Sequence, residues 1–108
     1  MADIPENELS SDYLDVLTRL RDEGFRAEFT CIMVPVQLEG HLASGEAFYF
    51  RCRHTRCSLG IAPEGGDPVG EPTWREEVSR WDDSEAGYLE PEEAEAVFRE
   101  LLAAYFEQ

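Results

Sequence analysis

Between Val36 and Ile61 only one antiparallel threading keeps the apolar side chains together, and this constraint decides most of the fold. Successive strand residues point to opposite faces, so a one-residue slip moves every apolar group to the wrong side. A three-residue turn at Ala43-Ser44-Gly45, with Gly45 left-handed, puts Val36, Leu38, Gly40 and Leu42 on one face with Phe48, Phe50 and Cys52. A two-residue Ser44-Gly45 turn would instead set Glu39 against Phe50 and Gln37 against Cys52. A second tight turn at His54-Thr55 pairs Arg53 with Arg56, Cys52 with Cys57 and Phe50 with Leu59, and Ile61 extends the apolar face. Like charges at Arg53 and Arg56 disfavour this pairing mildly, so a wider loop is the alternative there. The other face of this three-stranded meander carries Gln37, Glu39, His41, Tyr49, Arg51, Arg53, Arg56 and Ser58.

The flanks follow a helical period. Ser10 or Ser11 caps a helix whose Tyr13, Leu14, Val16, Leu17 and Leu20 share a face, and Gly24 followed by Phe25 ends it. Residues from Ala27 are strand formers, and Pro35, which has no N–H to donate, places that strand at a sheet edge or at a bulge. Residues 62–72 are a Gly/Pro loop. Thr73 with Glu76 makes a capping box, and Trp74, Val78 and Trp81 recur at helical spacing, so a short helix is expected; a strand alternating Trp74, Glu76 and Val78 is the alternative. Pro91 opens a last helix with an apolar stripe of Ala94, Val97, Phe98, Leu101, Leu102 and Tyr105. The expected fold is α+β: an N-terminal helix, a three-stranded antiparallel meander, a short helix and a C-terminal amphipathic helix, packed on one sheet face. One domain spans 1–108, with 1–9 expected as a flexible tail.

With 108 residues, 43% of them hydrophobic and twelve aromatic, the chain has the material for a real core. Its 24 Asp and Glu against nine Arg give a net charge of −15. Such a body repels phosphate backbones and anionic bilayers, so neither nucleic acid nor a membrane surface is an expected partner, and a basic protein is. The charge is uneven. Residues 1–46 carry −7, residues 64–108 carry −11, and residues 47–63 carry +3 from Arg51, Arg53 and Arg56. No apolar run approaches the ~20 residues that span a bilayer, and the acidic N-terminus is the reverse of a signal peptide, so a cytoplasmic location is expected. The chain has no Lys, which excludes Schiff-base chemistry.

Cys52-Arg-His54-Thr-Arg-Cys57 has a metal-like look, but the hairpin register turns both cysteines into the apolar face and leaves His54 at the turn. Three cysteines without an export signal fit reduced thiols that fill the core, with a redox-sensitive cross-strand pair as the alternative; no metal and no cofactor is expected. The loop around Gly65-Gly66 would make a poor phosphate cradle, because Glu64, Asp67 and Glu71 oppose an anion. Trp74 and Trp81 are expected to close the core.

Two functional readings remain. In the first, the chain is a non-catalytic protein-binding module of inhibitor, immunity or chaperone type. It engages a basic partner through Asp82, Asp83, Glu92, Glu93 and Glu95. The edge strand also permits a homodimer. In the second, His41, Tyr49, Arg51, Arg53 and Arg56 form a site for a small anion, or an enzymatic site, on the polar sheet face.

Overall fold

The computed structural model describes residues 8–32 and 35–108. In it the hairpin parity fixes the centre of the sheet. Strands β2 (Val36–His41), β3 (Ala47–Arg53) and β4 (Arg56–Ala62) pair Val36 with Cys52, Leu38 with Phe50, Phe50 with Leu59, Cys52 with Cys57 and Arg53 with Arg56. Gly45 takes a φ of 107°, and the Leu42 N–H donates to Glu46 O across the three-residue turn. His54 adopts φ 59° in the second turn.

Two further strands extend this core, giving a five-stranded antiparallel sheet in chain order rather than the expected three-stranded one. β1 (Arg26–Cys31) lies outside β2 and carries a bulge between Phe29 and Cys31, and Pro35 falls outside both strands. β5 (Trp74–Ser79) replaces the short helix expected from the capping box. The physical reason is the free edge of β4, whose backbone N–H and C=O groups need partners. β5 supplies them in register, with Trp74 opposite Ile61, Glu76 opposite Leu59 and Val78 opposite Cys57. Thr73, read from sequence as a helix cap, instead gives both its backbone N–H and its hydroxyl to Ile61 O, at 2.8 and 3.1 Å.

Helix α1 (Ser11–Asp22) and helix α2 (Pro91–Glu107) cover the apolar sheet face. Gly24, at φ 97°, closes α1 while the N–H of Phe25 reaches back to Leu20 O at 3.0 Å, the reciprocal bonding of a Schellman end. Phe98 of α2 is fully buried and meets Phe25, Phe48 and Phe50 with ring centroids 6.1, 5.1 and 5.3 Å away. Leu17, Leu20, Leu59, Ile61 and Leu101 are buried in the same apolar cluster. Trp74 is half-buried against Tyr105, so it does close the core's rim. Of the tail expected over 1–9, residues 1–7 lie outside the described residues; Leu9 packs into the core.

Two glycines mark close backbone approaches. A Cβ on Gly40, whose φ is +154°, would sit 1.6 Å from Arg26 O, so only glycine lets β1 and β2 pair there. A Cβ on Gly60 would sit 2.4 Å from Pro68 O, because the 62–72 loop folds back across the polar sheet face at that point.

Cys52 and Cys57 are completely buried, as their register implies, but they are joined in a disulfide across the β3–β4 pair rather than standing as two thiols. Cys31 is half-buried and takes no part in this disulfide. No helix among the described residues is long and apolar enough to cross a membrane.

Candidate functional site

The polar sheet face is a grid whose rows follow from the strand register. Arg53 and Arg56 share a row with Ser79; Arg51 and Ser58 share the next with Gln37 and Glu77; Tyr49 and Gly60 share the third with Glu39 and Arg75. His41 lies in the fourth, beside Ala47. Four residues along a strand separate His41 from the Gln37 row, about 13 Å at ordinary strand rise. The five residues grouped on this face by sequence therefore divide.

Arg51, Arg53 and Arg56 line one open depression of about 230 Å³, together with His54, Ser58 and Arg75. His41 and Tyr49 do not line it. Tyr49 belongs to a half-buried polar patch where the Thr30 hydroxyl donates to Glu39 Oε2 at 2.6 Å and buried Gln37 lies beside it. Burial pushes the Tyr49 phenol above its ordinary value, the neighbouring Glu39 adds to this, and Arg51 works against it.

Sequence reading missed Arg75 and His54 as members of the depression. Arg75 arrives only because 74–79 is a strand, and its signal was the alternation of Trp74, Glu76 and Val78, which turns Arg75 and Glu77 to the polar side. Glu77 is the local counter-charge, 3.3 Å from Arg56 Nε and 3.5 Å from Arg75 Nη1.

The acidic residues also divide. Asp82, Asp83, Glu92 and Glu93 are exposed, and Glu93 lines a groove of about 420 Å³ with Trp81, Ser84, Glu85, Tyr88 and Leu89. This groove forms where a 3-10 turn at Glu85–Tyr88 meets the start of α2. Its shape is pinned from both sides. The Ala86 N–H donates to His54 O at 3.1 Å, and Glu85 Oε1 accepts the Asp82 N–H at 2.9 Å. Tyr88 is 57% exposed. Trp81, half-buried, carries the Arg80 guanidinium 5.6 Å from its ring centre.

Glu95 is placed elsewhere. It is buried at the α1–α2 contact, where it accepts from Arg19 Nε and Nη2 at 3.1 and 2.5 Å and from Arg99 Nε at 3.0 Å. Arg99 also forms a two-bond pair with Glu23, at 2.9 and 2.6 Å. Hydrogen bonds from these arginines hold the Glu95 and Glu23 carboxyls below the usual carboxylate range. Glu95 thus joins the two helices and contributes nothing to an acidic surface, contrary to its expected role in partner binding.

Among the described residues, no group of three or more His, Cys, Asp or Glu is arranged to hold a metal ion. No protein-family model, curated protein or solved structure matches this chain.

Proposed function

We propose that the chain is a protein-binding module whose Trp81–Tyr88 groove receives an arginine- or lysine-bearing segment of a basic partner protein. The observation that carries this reading is the groove itself, in which an exposed Tyr88 and a half-buried Trp81 stand beside Glu85 and Glu93. Asp82, Asp83 and Glu92 are exposed on the segments that form it. Aromatic faces flanked by carboxylates suit a cationic side chain, which gains both ring attraction and ion pairing there. Arg80 over Trp81 is an internal instance of the same contact. The net charge of −15 would steer a basic partner toward this body and repel nucleic acid from it.

The test is anisotropy titration of a labelled peptide of alternating Arg and Gly, at low and at physiological salt. Tyr88→Ala with Glu93→Gln should weaken binding at least about tenfold, as expected when an aromatic anchor and its carboxylate are lost together. Glu64→Gln with Glu71→Gln removes two carboxylates from an exposed loop, where the groove variant removes one, and should cost no more than about twofold, since charges remote from the contact act only through screened solvent. Equal losses in the two double variants, or no binding by the unmodified chain, would defeat the groove reading.

A further inference from the structure

We infer that the depression lined by Arg51, Arg53, His54, Arg56, Ser58 and Arg75 is a binding site for a phosphoryl group. This is a site of opposite polarity to the Trp81–Tyr88 groove and does not depend on it. Seven of the nine arginines reach a carboxylate within 4.0 Å, as a chain so rich in Asp and Glu readily allows. Among the described residues, Arg51 and Arg53 have no such partner, and they are the two that stand side by side on one strand face.

The Arg51 Nε is buried and lacks any acceptor. A guanidinium N–H withdrawn from water without a partner is costly, so one of the residues lining the depression carries a donor for which the chain supplies no acceptor. Four guanidiniums around one depression also repel one another, and Glu77 offsets only part of this through Arg56 and Arg75. An anion with several oxygens relieves both costs. A carboxylate brings one charge and two oxygens, whereas a phosphoryl group brings close to two charges and three acceptor oxygens, matched to forked guanidinium donors. The Ser58 hydroxyl adds a further donor in the same lining.

The open shape admits a phosphoryl group free in solution or one carried on a larger molecule, and the test separates these sources. The Nε–H resonances of the arginines would be followed by NMR at constant ionic strength while inorganic phosphate, O-phosphoserine or acetate is added. A saturable shift of the Arg51 Nε–H is expected with a phosphoryl ligand, and acetate should bind at least about tenfold more weakly, having one charge and fewer acceptors. Tighter binding of O-phosphoserine than of phosphate identifies a carried phosphoryl group; the reverse order identifies the free ion. Arg51→Gln, and separately the exposed Arg53→Gln, should each weaken binding about tenfold, the loss of one charge-assisted pair. Arg80→Gln, outside the depression, should leave it unchanged. A shift that rises without saturating, equal shifts at Arg26 and Arg80, or acetate binding as well as phosphate would overturn the assignment.

Discussion

Phe98→Ala should cost the fold about 4 kcal/mol, within the range for deleting a buried phenyl group. The reason is position rather than hydrophobicity alone. The Phe98 ring is fully buried and touches aromatic rings from the α1–β1 connection and from β3, so it seats α2 on the sheet. Those neighbours cannot collapse into the vacated space, since Phe48 and Phe50 are fixed by strand pairing on both sides. A domain of this size has roughly 5–15 kcal/mol to lose, and each kilocalorie lowers the melting temperature by several degrees. Urea unfolding followed by circular dichroism would read the midpoint. Phe98→Leu, which keeps most of the volume, should cost no more than about 1.5 kcal/mol. A loss under about 2 kcal/mol for Phe98→Ala would mean that α2 does not depend on this contact as the structure implies.

Glu95→Gln should cost about 2 kcal/mol at neutral pH, less than a fully buried ion pair because its guanidinium partners are still partly solvated. The carboxylate is 9% exposed, against 37% for Arg99. The sign of the pH dependence follows from its lowered proton affinity. Glu95 and Glu23 are held below the usual carboxylate range in the folded chain, so their contribution is complete above the unfolded value, about 4.3, and is lost as pH falls through the lower folded values. Unfolding free energy of the parent chain should therefore decline below about pH 4.5 more steeply than that of Glu95→Gln, with the two curves converging in acid. Glu92→Gln, an exposed neighbour on the same helix, should stay within about 0.5 kcal/mol of the parent at every pH. Parallel curves for parent and Glu95→Gln would exclude the clamp.

The central sheet was legible because strand parity is a local property: two turns and a run of Val, Leu and Phe suffice to fix which residues face one another. β5 was not, because its own residues satisfy a helical spacing as well as an alternating one. What decides between them is the open edge of β4, which no local pattern around Thr73 contains. The loss carried through to the site, since Arg75 joins the arginine depression only on a strand. Parity also names a face without naming a row. Parity alone therefore groups His41 with Arg51, although Arg51 pairs with Gln37, four residues before His41 on β2, and counting from the Ala43-Ser44-Gly45 turn separates them. Glu95 sits just beside the apolar stripe of α2, and its burial depends on where α1 lies across it. The one local sign was its spacing of four from Arg99. Cys52 and Cys57 were placed opposite each other correctly, but opposition does not reveal whether two sulfurs are bonded.

The strand order of the sheet equals the order of the chain, and this bears on the route by which the molecule assembles. Each strand pairs with its predecessor in the chain, so the sheet can zip up through local connections, the 63–73 segment between β4 and β5 being the longest of them, at small entropic cost. The contacts of Arg19 with Glu95 and of Glu23 with Arg99 span 76 residues and so close a long loop. The helix pair should then lock after the rate-limiting barrier is crossed. In stopped-flow chevrons, Glu95→Gln should leave the refolding limb nearly in place and raise the unfolding limb, marking the clamp as the latch that sets the lifetime of the folded state.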